Sequence, residues 1–438
     1  MQDKKVVTRF APSPTGHFHL GGVRSALYNY LFAKQNKGAY ILRSEDTDKE
    51  RSKKEYEDGF LELFKWLELK PDQFFRQSER TEIYKKYLEK MIENDFAYIS
   101  KEEVREEGQR SEVIRFKNPN KKITFNDIVL GDITFDTTDL KDFVIARSLT
   151  EPLYHLTVVV DDYEMKVTHV IRGQEHIANT PRQLLIQEAI GAERPLYAHM
   201  PLILGKDRAK LSKRDPEVIP ALEYRDLGYL SEAIINFMAL IGWNPGGEAE
   251  VFTLSELIEK FDLNKIQKSG GIFNSEKLDW LNKEHMKKLP AEEIKNKIFS
   301  FLPLEFQNDK LIPVIFERIS KWSDVKIMLK AGELDCFSKF KQPEYDKAKL
   351  VYKNVTPDKI SDNLKLAIKA LEDVSEENFT TENVKISLMQ IADSLQSRGE
   401  LLHPVRYALS GKDKSPDPFI IAEILGKNET LSRLQKAL

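Results

Sequence analysis

The chain has 438 residues, of which 41% are hydrophobic, so it can form about three folded domains and is not a largely disordered protein. Its 67 lysines and arginines nearly balance its 70 acidic residues. This balance excludes a uniformly basic nucleic-acid-binding protein but allows a locally basic cleft.

The single cysteine, Cys336, excludes an intramolecular disulfide and a multi-cysteine zinc site. The longest mostly apolar stretch, residues 229–243, contains polar residues and is not expected to span a membrane. The apolar run after Lys5 is too short for a signal peptide. These features predict a cytoplasmic protein with no membrane partner.

The first elements are typical of a parallel α/β sheet. Residues 6–10 form a short apolar run, which two prolines and a glycine end at 11–16. Apolar residues recur at helical spacing from Val23 to Leu31, and a second apolar run follows at 39–44. Strand, tight loop, helix and strand predict a Rossmann-like sheet.

The elements that follow are assigned by the same periodicities. In chain order they are helices over 56–67 and 83–91 and strands over 123–135, 156–160 and 167–171. Residues 99–113 are polar and short-patterned, which indicates a reduced inserted module. Residues 288–438 are almost entirely helical in pattern.

The loop between the first strand and helix contains His19, Gly21 and Gly22. Glycines there allow a nucleotide to approach the backbone, and a helix N-terminus favours phosphate oxygens. A lone His-x-Gly also occurs in loops that only turn the chain.

Residues 206–214 carry five basic side chains after Gly205. A flexible basic loop can neutralise the charge that develops as pyrophosphate leaves a triphosphate. A solvated run of surface charge is the alternative interpretation.

Charged residues also follow two of the predicted strands. The acids at 45–48 can hold an ammonium group, a ribose hydroxyl or a metal, or they can cap the next helix. Arg172 suits bidentate carboxylate binding, or it forms a structural ion pair with Asp161 or Asp162.

In this order and spacing, the four segments resemble the class I aminoacyl-tRNA synthetases, and within them the bacterial glutamyl-tRNA synthetases. His19–Gly22 is similar to the first class I signature, the HIGH motif, and Lys210–Arg214 is similar to the second, the KMSKS motif. The resemblance covers most of the chain and is weakest over residues 291–396.

The resemblance implies roles for individual residues. The implied glutamate ligands are Arg9 and Tyr154 for the side chain, Ser13 and Glu45 for the ammonium, and Arg172 for the α-carboxylate. The implied ATP-binding residues are His19, Gly21, Gly22, Glu175 and Lys213, and the implied catalytic residues are His19, Gly21, Lys210 and Lys213. Two arginines and one acid complement the two carboxylates and one ammonium of glutamate.

The resemblance also implies the domain organisation. The expected parts are a Rossmann-like catalytic domain in two halves, 1–79 and 136–195, an inserted acceptor-binding module, 80–135, a stem-contact region, 196–287, and an all-helical anticodon-binding region, 288–438. Asp48 and Arg318 are the expected tRNA contacts. Arg318 would stack on a splayed base, and the alternative is a surface arginine paired with Glu317.

The implied partners are L-glutamate, ATP with Mg²⁺, and tRNA-Glu, and the sequence leaves open whether tRNA-Gln is charged too. No protein metal ligand is assigned, and no zinc is expected because residues 99–113 contain no cysteine. A monomer is the default expectation.

Three other classes of function share parts of this pattern. They are a glutaminyl or tRNA-modifying relative on the same core, a binding protein that has lost activity, and an unrelated nucleotidyltransferase. The helical C-terminal half argues against the first class. The intact His19, Gly21, Lys210 and Lys213 argue against the second, and residues 172–183 argue against the third.

Overall fold

The computed structural model describes residues 5–103, 111–209, 211 and 219–438. The chain divides into two compact units, the first ending at Lys287 and the second beginning at Lys288. The strands of the described residues all belong to the first unit. They are β1 (Val7–Phe10), β2 (Ala39–Ser44), β3 (Gln73–Arg76), β4 (Ala97–Lys101), β5 (Glu112–Phe116), β6 (Lys122–Asp127), β7 (Gly131–Asp136), β8 (Phe143–Ser148), β9 (Glu151–Pro152), β10 (His169–Gly173), β11 (Leu196–Met200), β12 (Ile203–Leu204) and β13 (Gly271–Ile272).

The helices of the first unit surround these strands. They are α1 (Leu20–Gln35), α2 (Lys54–Trp66), α3 (Thr81–Glu93), α4 (Tyr154–Glu164), α5 (Thr180–Ala189), α6 (Ala221–Asp226), α7 (Ser231–Leu240), α8 (Leu254–Lys260) and α9 (Ser275–Met286). Together with the parallel strands they form the α/β fold predicted from the sequence.

The main sheet has seven strands in the order β3-β2-β1-β10-β11-β6-β7. All neighbouring pairs are parallel except β6 and β7, which form an antiparallel hairpin at one edge. The chain adds β2 and β3 on one side of β1 and later adds β10 on the other. In an open α/β sheet, this reversal of strand order opens a crevice at the carboxyl ends of the strands.

Apolar layers cover both faces of the sheet because side chains alternate along each strand. On β10, Val170 belongs to one buried cluster and Ile171 to the other. On β11, Tyr197 and Ala198 divide in the same way. One cluster includes residues of α1, α2 and α7, and the other includes residues of α3, α4 and α5.

Helix α1 shows how the sequence sets the first crossover. It begins after His19, whose backbone is extended, and ends at Asn36, whose N–H bonds to the carbonyl of Phe32. Gly38 follows, where a Cβ atom would lie 2.3 Å from the carbonyl oxygen of Val6. A glycine therefore lets the chain enter β2 directly beside the start of β1.

The strand predicted over residues 156–160 is wrong, because this segment lies in helix α4. Leu156, Val159 and Val160 enter the apolar cluster, while Thr157 and Asp161 are buried in polar contacts. A helix buried on all sides shows no amphipathic period, and its valines favour a strand by propensity.

The inserted module also differs from its predicted bounds, 80–135. The strands β4, β5, β8 and β9 form a separate four-stranded antiparallel sheet that extends to residue 152. Strands β6 and β7, within the predicted module, instead join the main sheet through β11. Alternation identifies a strand but not its partner, so the sequence could not assign these strands to a sheet.

The second unit is helical, as predicted. Its helices are α10 (Ala291–Phe301), α11 (Leu311–Arg318), α12 (Asp324–Lys330), α13 (Pro357–Glu372), α14 (Thr381–Ala392), α15 (Gly399–Ser410), α16 (Pro418–Leu425) and α17 (Lys427–Ala437). The buried Arg433 of α17 donates to the carbonyls of Cys336 and Leu409, which ties three segments of this unit together. Throughout the described part of both units, every helix is too short or too polar to cross a membrane.

Candidate functional site

The candidate site lies at the carboxyl ends of the central strands. Arg9 is on β1, Glu45 directly follows β2, and Arg172 is the penultimate residue of β10. All three are at least nine-tenths buried. Because the strand order of the sheet reverses here, the carboxyl ends of neighbouring strands bring residues that are distant in sequence to one edge of the sheet.

A cavity of about 770 Å³ opens at this edge. Among the residues predicted to bind substrates, Ser13, Glu45, Asp48 and Tyr154 line it. The hydroxyl of Tyr154 lies 3.4 Å from Nδ1 of His176. Three of the five predicted glutamate-binding residues, Ser13, Glu45 and Tyr154, therefore share this cavity, whereas Arg9 and Arg172 are not among its lining residues.

Glu45 has an unusual electrostatic environment. Its carboxylate lies 3.4 Å from the guanidinium of Arg43. Burial raises the pKa of Glu45 from its ordinary value of 4.5 to about 7, although the charges of Arg43 and Arg9 oppose this rise. An ammonium group placed beside this carboxylate would favour the ionised form.

Arg9 is held by helix α4 across the sheet edge. Its Nε donates to the carboxylate of Asp162 at 3.1 Å, and Nη1 of Arg43 donates to the same carboxylate at 2.8 Å. Burial raises the pKa of Asp162, but the charges of Arg9 and Arg43 outweigh this and lower it overall. The hydrogen bond from Arg9 to this carboxylate is thus made by its Nε.

Arg172 does not form the ion pair with Asp161 or Asp162 that the sequence left open. Asp161 instead accepts from Gln77, Arg80 and Tyr84. Within the described residues, Nη1 of Arg172 is buried and has no hydrogen-bond partner. Burial lowers the pKa of this guanidinium. A buried cation without a carboxylate partner is costly unless a ligand supplies the negative charge.

Sequence reasoning missed the residues that surround Arg172. Its Nε points to Nε2 of His199 at 3.1 Å, and its Nη2 donates to Oγ1 of Thr180 at 2.9 Å. Nδ1 of His199 lies 2.6 Å from Asp127. A histidine inside the apolar strand β11 was the available signal, but its partners come from β6 and β10, which no local pattern connects.

Of the predicted ATP-binding residues, His19, Gly21 and Gly22 lie at the start of α1, and Glu175 follows the end of β10. A Cβ atom on Gly21 would meet only Ile203 Cδ1, at 4.0 Å, so packing does not explain this glycine. On Gly22 it would lie 2.4 Å from the ring of Phe18, so packing does explain that one. Glu175 is exposed and lies 4.0 Å from Nε2 of His176.

The four remaining predicted residues are Lys210, Lys213, Asp48 and Arg318. Lys210 and Lys213, in the basic run, lie outside the described residues. Asp48 lies at the cavity wall and pairs with Arg51 at 2.6 Å. Arg318, in the second unit, ends α11 and lies 3.8 Å from Glu333 rather than pairing with Glu317.

No group of three or more His, Cys, Asp or Glu side chains in the described part of the chain could hold a metal ion. A second cavity, of about 710 Å³, lies at the opposite edge of the sheet, beside Val7, His169 and Leu196 at the amino ends of β1, β10 and β11. It contains none of the predicted site residues.

Comparison with known protein families agrees with this geometry. Residues 5–112 and 99–280 match the family "tRNA synthetases class I (E and Q), catalytic domain", and residues 271–438 match "Anticodon binding domain". The glutamate–tRNA ligase 1 of Petrotoga mobilis is 40% identical over 98% of this chain and 97% of its own length. The glutamate–tRNA ligase of Bacillus subtilis is 36% identical over 98% of this chain and 99% of its own.

A crystal structure of a glutamate–tRNA ligase from Elizabethkingia meningosepticum, in complex with its amino acid, superposes with a TM-score of 0.87. It is 32% identical and covers 99% of both chains. The chain belongs to the glutamate–tRNA ligases. It is therefore an enzyme that attaches glutamate to tRNA and uses ATP to do so.

As a glutamate–tRNA ligase, the chain combines a class I catalytic domain with a helical anticodon-binding domain. The predicted family, fold class and activity are confirmed. A glutaminyl or tRNA-modifying enzyme, the alternative function, is not favoured by these relatives. The cavity lined by residues that follow β1, β2 and β3 lies within the part of the chain that matches the catalytic domain.

Proposed function

We propose that this enzyme binds glutamate by its three charged groups at the carboxyl ends of β1, β2 and β10, beside the cavity that Ser13, Glu45 and Tyr154 line. Arg9 pairs with the side-chain carboxylate, with Tyr154 beside it. Glu45 and Ser13 hold the ammonium, and Arg172 pairs with the α-carboxylate. The observation that carries this proposal is the buried Nη1 of Arg172, which has no partner among the described residues.

The assignment of the two carboxylates follows from the partners of the two arginines. Arg9 already shares Asp162 with Arg43, so its charge is partly balanced inside the protein. Among the described residues, Arg172 donates hydrogen bonds to two groups that carry no negative charge, the imidazole of His199 and the hydroxyl of Thr180. Arg172 is therefore the stronger carboxylate ligand, and we assign to it the carboxylate that reacts.

In the proposed reaction, an α-carboxylate oxygen of glutamate attacks the α-phosphorus of ATP, and the bond to pyrophosphate breaks. The terminal ribose hydroxyl of tRNA-Glu then attacks the carbonyl of glutamyl-adenylate, and AMP leaves. Neither step needs a covalent protein nucleophile, so the enzyme contributes positioning and charge stabilisation. We assign ATP to Gly21, Gly22, His19 and Glu175, and the charge of departing pyrophosphate to Lys213, with Lys210 as a second catalytic residue.

Mg²⁺ enters as the counter-ion of the ATP substrate, held mainly by phosphate oxygens and water. The lack of a metal-binding cluster in the described residues is compatible with this arrangement. We further propose that Asp48 and Arg318 contact tRNA and that the enzyme acts as a monomer on tRNA-Glu. Charging of tRNA-Gln would depend on contacts in the anticodon-binding domain.

The proposal is tested by replacing the two arginines separately. Removing either arginine leaves a substrate carboxylate unpaired in a partly dry site, which costs about 2–5 kcal/mol. We expect Arg172→Ala to weaken glutamate and glutamine alike, whereas Arg9→Ala should weaken glutamate selectively. Amino-acid-dependent ATP–pyrophosphate exchange, with tRNA present, measures both effects.

Arg194 precedes β11 at the opposite edge of the sheet and pairs with Glu188, so Arg194→Ala is a matched control. Equal losses for glutamate and glutamine in Arg9→Ala would show that Arg9 does not contact the substrate side chain. An unchanged KM for glutamate in Arg172→Ala would contradict the central assignment.

A further inference from the structure

We propose that Asp127, His199 and Thr180 are positioning residues that aim Arg172 at the substrate without neutralising it. The inference deepens the proposed function and rests on Arg172 as the α-carboxylate ligand. The three residues come from β6, β11 and the first turn of α5, and all are almost completely buried.

The first step in the argument is the geometry around Arg172. His199 occupies Nε at 3.1 Å and Thr180 occupies Nη2 at 2.9 Å. These two contacts fix the plane of the guanidinium, while the ring of Tyr197 lies 5.6 Å away. Nη1 is left without a partner in the described part of the chain. The side chain is therefore held in one orientation with one nitrogen kept free.

The second step concerns the proton of His199. Its Nδ1 lies 2.6 Å from Oδ2 of Asp127. Because a carboxylate oxygen accepts hydrogen bonds, Nδ1 is the donor in this contact. Burial lowers the pKa of His199, which favours the neutral ring. The single proton is then on Nδ1, and Nε2 presents a lone pair to the Nε–H of Arg172. Asp127 thus sets the tautomer that allows His199 to accept.

The third step concerns how firmly Asp127 itself is held. Its Oδ1 accepts from the backbone N–H groups of Val129 and Leu130, both at 3.0 Å. Oδ2 also lies 3.1 Å from the backbone nitrogen of His199. The same backbone nitrogen also lies 3.3 Å from Oδ1, so the two oxygens share this donor, but the contact with the imidazole is made by Oδ2.

The functional consequence is the charge that remains on Arg172. A carboxylate at position 199 would orient the guanidinium equally well but would pair with it and compete with the substrate. A neutral imidazole orients it by a hydrogen bond and leaves its positive charge for the α-carboxylate. The carboxylate of Asp127 acts one residue further away, on the imidazole.

The test is Asp127→Asn, which keeps the shape of the side chain. The backbone donors of Val129 and Leu130 require the amide oxygen on their side, so the amide NH₂ group faces Nδ1 of His199. Nδ1 must then accept a hydrogen bond, so the ring proton of His199 lies on Nε2. Two N–H groups now face each other, and the hydrogen bond from Nε of Arg172 to His199 is lost. We expect the KM for glutamate to rise by roughly 10- to 100-fold, the scale of a lost hydrogen bond to a charged group, with the KM for ATP changed by less than about twofold.

Thr180→Val is a second variant that leaves the Asp127–His199 pair intact and remains informative if Asp127→Asn does not fold. It should raise the KM for glutamate by about 5- to 15-fold, and Thr180→Ser should restore it. The control is His169→Asn at the other end of β10. The His169 ring bonds to Thr168 and packs against Phe32, so this change should leave the KM for glutamate unchanged.

Inhibition by γ-aminobutyrate distinguishes a change in the orientation of Arg172 from general damage to the glutamate-binding site. This compound keeps the ammonium and the side-chain carboxylate of glutamate but lacks the α-carboxylate. Asp127→Asn should leave the inhibition constant of γ-aminobutyrate unchanged. Arg172→Lys is the reference variant: it should also leave this inhibition constant unchanged but should raise the KM for glutamate. The inference is overturned if folded Asp127→Asn has a normal KM for glutamate. It is also overturned if this variant weakens the binding of glutamate and of γ-aminobutyrate equally.

The two proposals fail in different ways. If Arg172→Lys weakens γ-aminobutyrate as much as glutamate, Arg172 is not the α-carboxylate ligand, and the proposed function and this inference both fail. If Arg172→Lys behaves as expected but Asp127→Asn and Thr180→Val leave the KM for glutamate unchanged, only the positioning role is wrong.

Discussion

At the residue scale, Glu45 carries a property that sequence alone does not show. An acid after β2 was predicted as the ammonium ligand, but its pKa depends on burial, on Arg43 two residues before it and on Arg9 of β1. Burial raises this pKa to about 7, so the side chain changes charge near neutral pH. The ammonium of glutamate requires the ionised form.

We therefore predict that glutamate binding weakens as the pH falls. Between about pH 8 and about pH 6 the ionised fraction of Glu45 drops by about tenfold, and the KM for glutamate should rise by a similar factor. Burial lowers the pKa of His155 and His176 to about 4, so these neighbours stay neutral over this range. KM measured across this range checks the prediction.

Glu45→Gln is the matched variant. Its KM for glutamate should be high and nearly independent of pH over the same range. Because the pKa is raised in the folded state, the protonated carboxyl stabilises the fold below about pH 4.5, and this contribution is lost as the pH rises through about 7. Glu45→Gln should consequently gain stability relative to the wild type as the pH rises over this interval. A pH-dependent KM that persists in the variant would assign the titration to another group.

At the element scale, helix α4 is the main difference between prediction and structure. Its last turns bring Asp161 and Asp162 under β1 and β2, where they balance Arg9, Arg43 and Arg80. The strand interpretation placed the same two acids at a strand end. The helix instead forms a buried charged layer beneath the candidate site.

Asp162→Asn should destabilise the fold strongly. The substitution leaves Arg9 and Arg43 buried without this shared carboxylate, which costs about 3–5 kcal/mol. The pKa of Asp162 is lowered in the folded state, so its contribution is present above the ordinary value of about 3.9 and is lost as the pH falls below it. Urea unfolding at neutral pH should show the loss, and the difference from the wild type should shrink in acid.

Asp95→Asn provides the comparison for this experiment. Asp95 pairs with Lys117 at 2.6 Å, but both side chains are largely exposed, so the expected loss is below about 1 kcal/mol. Equal losses in the two variants would mean that the buried layer beneath the site contributes no more than a surface ion pair.

At the scale of the whole molecule, the two units match two different family domains. The catalytic domain contains the cavity, and the second unit is an anticodon-binding domain. Arg318 ends α11 in that domain, is exposed, and among the described residues lies 3.8 Å from Glu333. An arginine in this setting is free to stack on a base, which motivates a test of its role in tRNA choice.

We predict that Arg318→Gln raises the charging of tRNA-Gln relative to tRNA-Glu. A base-specific contact is worth about 1–3 kcal/mol by analogy with direct readout in DNA, which corresponds to roughly 5- to 150-fold in the ratio. Charging of both purified tRNAs with labelled glutamate measures it. Lys330→Gln, an exposed cation of α12 in the same domain, is the control. An unchanged ratio with normal rates would show that Arg318 does not select the tRNA.

The sequence by itself determined the family, the activity, the first βαβ unit and the helical second unit. It did so because local signals specify them. Helical spacing identifies α1, turn residues delimit it, and the His19–Gly22 segment lies at its start. The residues expected to bind glutamate were also named from the sequence, through their resemblance to the family.

Tertiary structure alone decided the partners of these residues. Residues 156–160 became a helix because packing on all sides overrides the strand propensity of valine. Strands β6 and β7 joined the main sheet because alternation does not specify a partner. His199 met Arg172 and Asp127 because parallel strands bring their carboxyl ends together across 72 residues of chain. Burial and long-range contacts set the charge of the site, and neither is encoded in any short window of sequence.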